Sequence, residues 1–484
     1  MVVYLVGAGP GDPELITIKA QRLISDADAI VYDRLANSCL LEYTKPGCKK
    51  FFAGKKANNH YMKQHEINDL LVKLGGKFEV VVRLKGGDPF LFGRGGEEME
   101  VLAEAGIPVQ IVPGISSAVA VPAYAGVPVT HRSINSQISI VTGRKSELNS
   151  DIVNFDKYPP VSVILMGSKN RKEIVRSLIR SEQYFGSTPA MVILNGTLAE
   201  QEVFTTTIDY LEQIKIETTP ALIVVGDVVN LRGKKTWFDV LRNQFLGKKL
   251  IIPTSSNVDK STEIWLKNLG LEVKYLSFLD FEMKEFTISD LDEYDVIVFT
   301  SKRGVEIVCE KYRLPKDKQY FSIGPTTQKK LKQHGVSSVY PNKFTSVALG
   351  EMLREKLKPS TKILLLRSEN ASPDLRTILE KSFIVKEKSI YEVLPRKISA
   401  DDLNGADFIF ITAGTVAKAI KPISTFIINK QIKLISIGPT TSRTMTELEM
   451  NPCLEAQTHT IKGLGYSLID YFSKLELRKL QQQP

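Results

Sequence analysis

Four cysteines, five histidines and two tryptophans among 484 residues leave little material for metal or redox chemistry. Cys39, Cys48, Cys309 and Cys453 lie far apart and form no C-x-x-C pair, which argues against a zinc knuckle or a disulfide framework and leaves them as reduced structural thiols. The histidines, His60, His65, His131, His334 and His459, contain no H-E-x-x-H arrangement, so no metal is expected. Also missing is any basic stripe interleaved with aromatics. Lysines and arginines stand in short pairs among acidic residues, so the formal charge of +10 reads as solvated faces plus capacity for a carboxylate-rich small molecule, and no nucleic-acid partner is expected. The one long uncharged stretch, residues 107–130, is interrupted by Pro108, Pro113, Gly114, Pro122, Gly126 and Pro128. It reads as loops and buried core, not as a membrane span. The opening Met1-Val-Val-Tyr-Leu-Val-Gly7 has no basic stretch or small-residue cleavage site and reads as a buried strand, so the expected location is the cytoplasm.

What is present is α/β order. Short β-branched runs at Val2 to Val6, Ala29 to Tyr32 and Val80 to Leu84 alternate with amphipathic segments such as Ile16 to Ile24. A second set of buried strands follows at Val161 to Met166, Ala190 to Leu194 and Ala221 to Val225, so the first module, residues 1–245, is expected to have two lobes. After Gly247-Lys-Lys249 the pattern restarts with Leu250-Ile-Ile-Pro-Thr-Ser255, opening a second module, 247–484. The junction is short and not Gly/Ser-rich, which predicts modules held close together. Inside the second module Asp295-Val-Ile-Val-Phe-Thr300 recurs as Asp407-Phe-Ile-Phe-Ile-Thr412, and Ser322-Ile-Gly-Pro-Thr-Thr327 recurs identically at 436–441, at offsets of 112 and 114 residues. Two similar α/β lobes are implied.

Gly7-Ala-Gly-Pro-Gly-Asp12 follows a strand and invites a dinucleotide-binding reading. The detail opposes it: Asp12 occupies the third glycine position, and Pro10 removes a backbone donor where a pyrophosphate needs one. A Gly-Pro loop with an acidic end suits a cationic ligand better.

The first module closely resembles the uroporphyrinogen-III C-methyltransferases of the tetrapyrrole methylase family. The resemblance runs through Leu5-Val-Gly-Ala-Gly-Pro-Gly-Asp-Pro13, Val31-Tyr-Asp-Arg-Leu35, Gly54-Lys55, Val82-Arg-Leu-Lys-Gly-Gly-Asp-Pro-Phe90, Phe92-Gly-Arg-Gly-Gly-Glu-Glu98, Val112-Pro-Gly-Ile-Ser-Ser117 and Leu165-Met-Gly167. It implies an S-adenosylmethionine cleft between two lobes, lined by Pro10, Gly86, Gly87, Asp88, Leu91, Ser116, Ser117, Met166 and Gly196, with S-adenosylhomocysteine as product. Where many relatives have Ile-Thr-Ser or Ile-Thr-Ala, this chain has Ile115-Ser-Ser117, which keeps a hydroxyl. Methyl transfer from a sulfonium needs an electron-rich pyrrole carbon in line and later loss of a proton. By position in the family pattern, Asp33 reads as a proton acceptor or a strand-end turn residue. Lys55 reads as a proton donor, a carboxylate anchor or a surface charge. Arg94 and Glu97 read as residues that orient the substrate and remove a proton, with Glu97 alternatively a first-turn residue favoured by the helix dipole. A homodimer through this module is a further implication.

From Lys248 onward the chain resembles, more loosely, the uroporphyrinogen-III synthases, through Phe299-Thr-Ser-Lys-Arg-Gly-Val305, the two Ile-Gly-Pro-Thr-Thr turns, Tyr391 and Ile411-Thr-Ala-Gly-Thr-Val416. The first strand departs from the family's Val-Thr-Arg-like ending, with Pro253-Thr-Ser255 in its place. The resemblance implies two lobes, about 247–278 plus 395–484 and 279–394, joined by crossing strands expected at Tyr275 to Phe278 and Ile390 to Leu394. Thr300, Ser301, Gly324, Thr412, Gly414, Thr415, Gly438 and Thr440 are the expected holders of substrate carboxylates, with Tyr391 either the acid or an interlobe packing aromatic. The whole chain is then expected to cyclise hydroxymethylbilane and to methylate the product twice to precorrin-2, on the way to siroheme or cobalamin. The rival expectation is a methyltransferase whose second half is a non-catalytic scaffold or ligand-binding module.

Overall fold

A computed structural model describes the chain apart from residues 55–61, 145–154, 156–158, 160, 234–235, 257, 289–290 and 482–484. The β-branched runs form four sheets, because branched side chains pack well on a pleated, covered surface. The first is wholly parallel, in the order Lys49–Phe52, Ala29–Tyr32, Val80–Lys85, Val2–Gly7, Val109–Val112. Its central strands are buried on both faces, with Val3, Leu5, Val81 and Leu84 fully enclosed. The second sheet is mixed, in the order Ser139–Thr142, Ser162–Leu165, Ala221–Val225, Pro189–Leu194, Glu202–Thr207. These are the two lobes of the first half.

Two local boundaries differ from the sequence expectation. The first helix runs Ile18–Asp26 because Thr17 caps it, accepting from the Ala20 amide at 3.2 Å, while Pro13–Leu15 takes a separate 3-10 turn. Within 107–130 the prolines do not abolish helix: Ser117–Tyr124 is helical with Pro122 inside it, capped by Ser116. In an eight-residue helix a proline at the sixth position forfeits a single backbone bond, and burial of Ala118, Val121 and Ala125 against the second sheet outweighs the loss. Among the described residues no helix is long and apolar enough to cross a membrane.

The second half carries a parallel sheet in the order Glu272–Leu276, Lys249–Pro253, Phe408–Ile411, Lys433–Ser436, Leu454–Glu455. Its other sheet has the order Leu279–Met283, Ile384–Pro395, Lys362–Ser368, Val296–Phe299, Gln319–Ser322, Ser338–Val339. The internal repeat is visible in register: Phe299 pairs with Ser322 in one lobe as Ile411 pairs with Ser436 in the other. The first crossing strand is displaced from its expected place. Tyr275 and Leu276 remain in the first lobe, paired with Ile252 and Pro253, and Leu279–Met283 makes the crossing, antiparallel to Tyr391–Pro395. Phe278, 1% exposed in the first lobe's core, anchors the chain just before it leaves.

One helix, Trp237–Phe245, joins the halves. Its N-terminus carries a capping box between Thr236 and Asp239, and its Trp237 and Phe238 rings each lie 4.8 Å from Tyr124 of the first half. Its last residue, Phe245, is fully buried against Phe408 and Phe472 of the second. Aromatic burial at both ends makes this connection a splint and not a tether.

Candidate active site

The loops after the parallel strands of the first sheet meet without room for side chains. The Gly9 and Gly87 backbones form an isolated bridge, with the Gly87 amide donating to the Gly9 carbonyl at 2.7 Å. A Cβ on Gly114 would stand 2.3 Å from the Gly87 carbonyl, and one on Gly7 would stand 2.5 Å from the Gly114 Cα. Gly87 itself has φ +67°, and a Cβ there would meet nothing closer than Ser117 N at 3.8 Å and Ser116 Cα at 3.9 Å. Its side-chain-free face therefore lies at ordinary contact distance from the N-terminus of helix Ser117–Tyr124, a backbone cradle that a ligand could approach closely. Asp88 holds the cradle's rim: Oδ1 accepts from the Phe90 amide at 2.8 Å and Oδ2 from the Gly114 amide at 3.0 Å. Gly86 backs onto Leu35, and Leu91 packs against the core between the second sheet and helix Ser117–Tyr124.

From the second sheet come Met166 (φ 57°) and Gly196, whose Cβ would overlap Val121. Gly196 is flanked by Asn195 (φ 47°) and Thr197 (φ 70°), and Leu91 is followed by Phe92 (φ 53°) and Arg94 (φ 58°). Among the described residues of the first half, these five are all the non-glycine residues with positive φ, and each is, adjoins or lies close to an expected cofactor residue. Backbone held in this region costs roughly 1–3 kcal/mol per residue and persists only where its surroundings enforce it. Thr197 also bonds the lobes together, its Oγ1 accepting from the Asp12 amide at 2.9 Å, while the Tyr124 hydroxyl donates to Asp12 Oδ2 at 2.8 Å. Burial pushes the Asp12 carboxyl above its ordinary value, against the lowering by the Glu14 amide and Tyr124 bonds, and pushes the Tyr124 hydroxyl upward too.

Beside the cradle lies a cavity of about 510 Å³, walled by Pro10, Tyr32, Asp33, Leu35, Asn37 and Phe52 among others, within the range of small-molecule sites. Asp33 is fixed there: Oδ1 accepts from the Leu35 and Ala36 amides at 3.0 and 3.3 Å, and Oδ2 pairs with Arg83 at 3.2 Å. Arg94 and Glu97 are not among the lining residues. They form an exposed ion pair at the start of helix Gly95–Glu104, and the Arg94 bond holds the Glu97 carboxyl below its ordinary value. Lys55 lies outside the described residues.

Sequence reasoning passed over the neighbour of Glu97. Glu98 is fully buried, and its Oε1 accepts from Lys85 at 2.8 Å, Arg83 at 3.2 Å and Gln64 at 3.2 Å. Arg83, 3% exposed, thus connects Glu98 to Asp33 at the cavity wall, and Lys85, 4% exposed, adds a second cation on Glu98. Burial, reinforced by Arg83, lowers the Lys85 ammonium, with Glu98 opposing. The available signal was spacing: two cations at i, i+2 in a strand share one face and need a buried anion.

In the second half the expected residues stand at the carboxyl ends of parallel strands, where open α/β sheets present their ligand crevices. Thr300 and Ser301 follow Val296–Phe299. Ser301 caps helix Lys302–Lys311 by accepting from the Gly304 amide, and its Oγ lies 2.9 Å from the Tyr391 hydroxyl. Tyr391 is 5% exposed, its ring among the core residues of this lobe. Gly324 and Gly438 cap helices Pro325–Gln333 and Pro439–Glu447, the latter carrying Thr440, and Gly414 and Thr415 begin Gly414–Ile420. Thr412 Oγ1 accepts from Ser256 Oγ at 3.0 Å. Among the described residues the hydrogen bonds of each set stay within its own lobe, so the structure joins Tyr391 to Ser301 but leaves the two sets facing separately. No group of residues suited to a metal ion occurs among the described residues.

The model of the tetrapyrrole (corrin/porphyrin) methylases matches residues 2–212, and that of uroporphyrinogen-III synthase HemD matches residues 261–465. A uroporphyrinogen-III C-methyltransferase of Bacillus subtilis (strain 168) is 47% identical over 259 residues, covering 51% of this chain and 99% of that protein. A porphyrin biosynthesis protein HemD of Ruminiclostridium josui is 33% identical over 402 residues, 79% of each chain. Among solved structures, the uroporphyrin-III C-methyl transferase of Thermus thermophilus complexed with S-adenosylhomocysteine is 36% identical, covers 48% of this chain and all of that one, and has a TM-score of 0.42.

Proposed function

The chain belongs to the tetrapyrrole methylase family through its first half and carries a uroporphyrinogen-III synthase HemD unit in its second, and on that footing we propose that it performs two consecutive reactions. The synthase unit closes hydroxymethylbilane to uroporphyrinogen III, and the first unit methylates that product twice to precorrin-2. The observation that carries the methyl-transfer reading is the concentration of strained backbone and side-chain-free backbone around the Gly87 cradle, beside a cavity walled by a fixed carboxylate. Backbone without a side chain at Gly87 suits a nucleoside that must lie against the main chain. S-adenosylmethionine, when bound, supplies an electrophilic methyl and is released as S-adenosylhomocysteine.

In this reading Pro10, Gly86, Gly87, Leu91, Ser116, Ser117, Met166 and Gly196 admit and orient the cofactor, and Asp88 keeps the rim in shape. Asp33, oriented by two amides and Arg83, accepts the proton lost from the macrocycle. Arg94, Glu97 and Lys55 serve the substrate's carboxylates and proton traffic at the edge. In the synthase unit the strand-end hydroxyls and amides of Thr300, Ser301, Gly324, Thr412, Gly414, Thr415, Gly438 and Thr440 hold acetate and propionate groups. Tyr391, bonded to Ser301, donates to the departing hydroxyl. A cytoplasmic homodimer through the methylase unit belongs to the same reading.

The second reading, a methyltransferase with an inert synthase-like scaffold, is favoured by one feature: the Tyr391 ring is core material of its lobe. Purified chain supplied with fresh hydroxymethylbilane separates the two. The first reading expects the type III isomer without S-adenosylmethionine and precorrin-2 with it, followed by chromatography and mass. Type I isomer alone, with added uroporphyrinogen III still methylated, would leave the scaffold reading standing.

A further inference from the structure

The methylase cavity is not walled by the methylase alone. It is also lined by Ile264, Lys267 and Asn268 of the synthase unit, which occupy positions i, i+3 and i+4 on one face of helix Lys260–Asn268. Three observations show this helix to be seated and not merely nearby. Lys260 pairs with Glu42 of the methylase at 2.9 Å. Lys462, on the last helix, pairs with Glu14 at 2.9 Å while resting over the Trp265 ring at 5.5 Å. The splint helix buries Phe245 in the same synthase lobe that carries the wall, packed in one core with Trp265 and Leu266.

Lys267 is the cation on this wall. Its side chain is half exposed, and its ammonium pairs with Glu263 of its own helix. Glu263 also accepts from the Tyr275 hydroxyl at 3.0 Å, so it keeps a donor if the lysine turns away. Such a solvated i, i+4 pair is weak, and a lysine's flexible stem lets it exchange partners readily. Arg34, the other cation lining the cavity, is by contrast tied to the Thr219 carbonyl and hydroxyl at 3.2 and 3.3 Å.

We propose that Lys267 of the synthase unit binds a carboxylate of the macrocycle while the methylase unit methylates it, so that the fusion completes the methyltransferase's substrate site. The inference rests on the methyl-transfer reading of the cavity and deepens it. The test is steady-state methylation of uroporphyrinogen III by the full chain and its Lys267→Ala, Lys267→Glu and Lys267→Arg variants. Loss of one charge contact should raise the KM for uroporphyrinogen III about fivefold in the alanine variant, and about tenfold or more in the glutamate variant. Arginine should restore most of the affinity, and the alanine effect should shrink at high salt. The KM for S-adenosylmethionine and the rate of type III formation from hydroxymethylbilane should stay unchanged, which excludes a general folding defect. An active wild type with all three variants indistinguishable from it overturns this inference alone. A wild type that does not methylate uroporphyrinogen III sinks the parent reading and this one together.

Discussion

The two halves use the same architectural device, proposed ligand groups at the carboxyl ends of parallel strands, but build it differently. In the methylase half, backbones touch through Gly7, Gly87 and Gly114, five non-glycine residues among those described take positive φ, and a carboxylate with two cations is buried behind the wall. In the synthase half, the repeated turns are relaxed. Gly324 and Gly438 have φ of −176° and 167°, extended values open to other residues, and the polar groups are hydroxyls satisfied within their own lobe. On the proposed reading the first site is set when the chain folds, and the second depends on how two lobes approach each other. Preorganisation suits a reaction needing in-line placement of two reactants, and lobe closure suits one that must bend a linear substrate into a ring.

The sharpest way to break this contrast is at Glu98. Replacing it with Ala leaves Arg83 and Lys85 buried without their shared anion, a defect expected to cost about 3–5 kcal/mol. Thermal unfolding should show a large loss confined to the methylase transition, with methylation falling alongside because Arg83 no longer aligns Asp33. The same substitution at its neighbour Glu97, whose partner is solvent-exposed, should cost less than about 1 kcal/mol. Equal losses at the two positions would dissolve the distinction between a buried network and a surface pair.

Next in size is a glycine comparison. A Cβ at Gly114 collides with backbone at 2.3 Å, where no flexible side chain can give way, so Gly114→Ala should destabilise by about 1–3 kcal/mol and abolish methylation. Gly324→Ala meets only the Phe344 side chain at 3.3 Å with φ already extended, and should fall within about 0.5 kcal/mol of wild-type stability. A synthase that tolerates this change as badly as the methylase tolerates Gly114→Ala would mean that its turns are as tightly specified.

In the synthase half the test residue is Tyr391. Tyr391→Phe keeps the ring in its core and deletes the hydroxyl beside Ser301. One hydrogen bond to the departing group, worth about 1.5 kcal/mol, corresponds to about a tenfold fall in type III formation, with methylation untouched. An unchanged rate would reduce Tyr391 to packing and return the catalysis to lobe closure.

Much of this was legible in the residues. Parallel strands announce themselves as continuous β-branched runs, and the duplicated Ser-Ile-Gly-Pro-Thr-Thr turns disclosed two lobes. The places that resisted reading are those where a tertiary partner decides. Thr17 delays the first helix by accepting a bond that propensity cannot foresee, and Phe278 sets where the chain crosses because its ring has a core to enter. Glu97 and Glu98 look alike in sequence. Only the facing strand, with Arg83 and Lys85 on one side, makes one of them interior. Least legible was the cavity wall from helix Lys260–Asn268, since no local pattern reports which surface another module will cover.

The smallest effect concerns pH at the lobe junction of the methylase. Burial raises Asp12 above its ordinary 3.8 in the folded chain, while the Tyr124 hydroxyl and the Glu14 amide hold it in place. Between the ordinary and the raised value the native state keeps a proton that the unfolded chain has lost. This carboxyl therefore favours the fold fully below its unfolded pKa, and the contribution is lost as pH rises through the folded one. Asp12→Asn cannot titrate, so denaturant unfolding from about pH 4 to about pH 7 should show the wild type losing stability relative to the variant as pH rises. The difference should be confined to the methylase transition, because no synthase residue touches this carboxyl among its described hydrogen bonds. Parallel stability curves for the two proteins would mean that the junction is wetter than its packing implies, and the claim of a methylase site set on folding would weaken at the loop that joins its lobes.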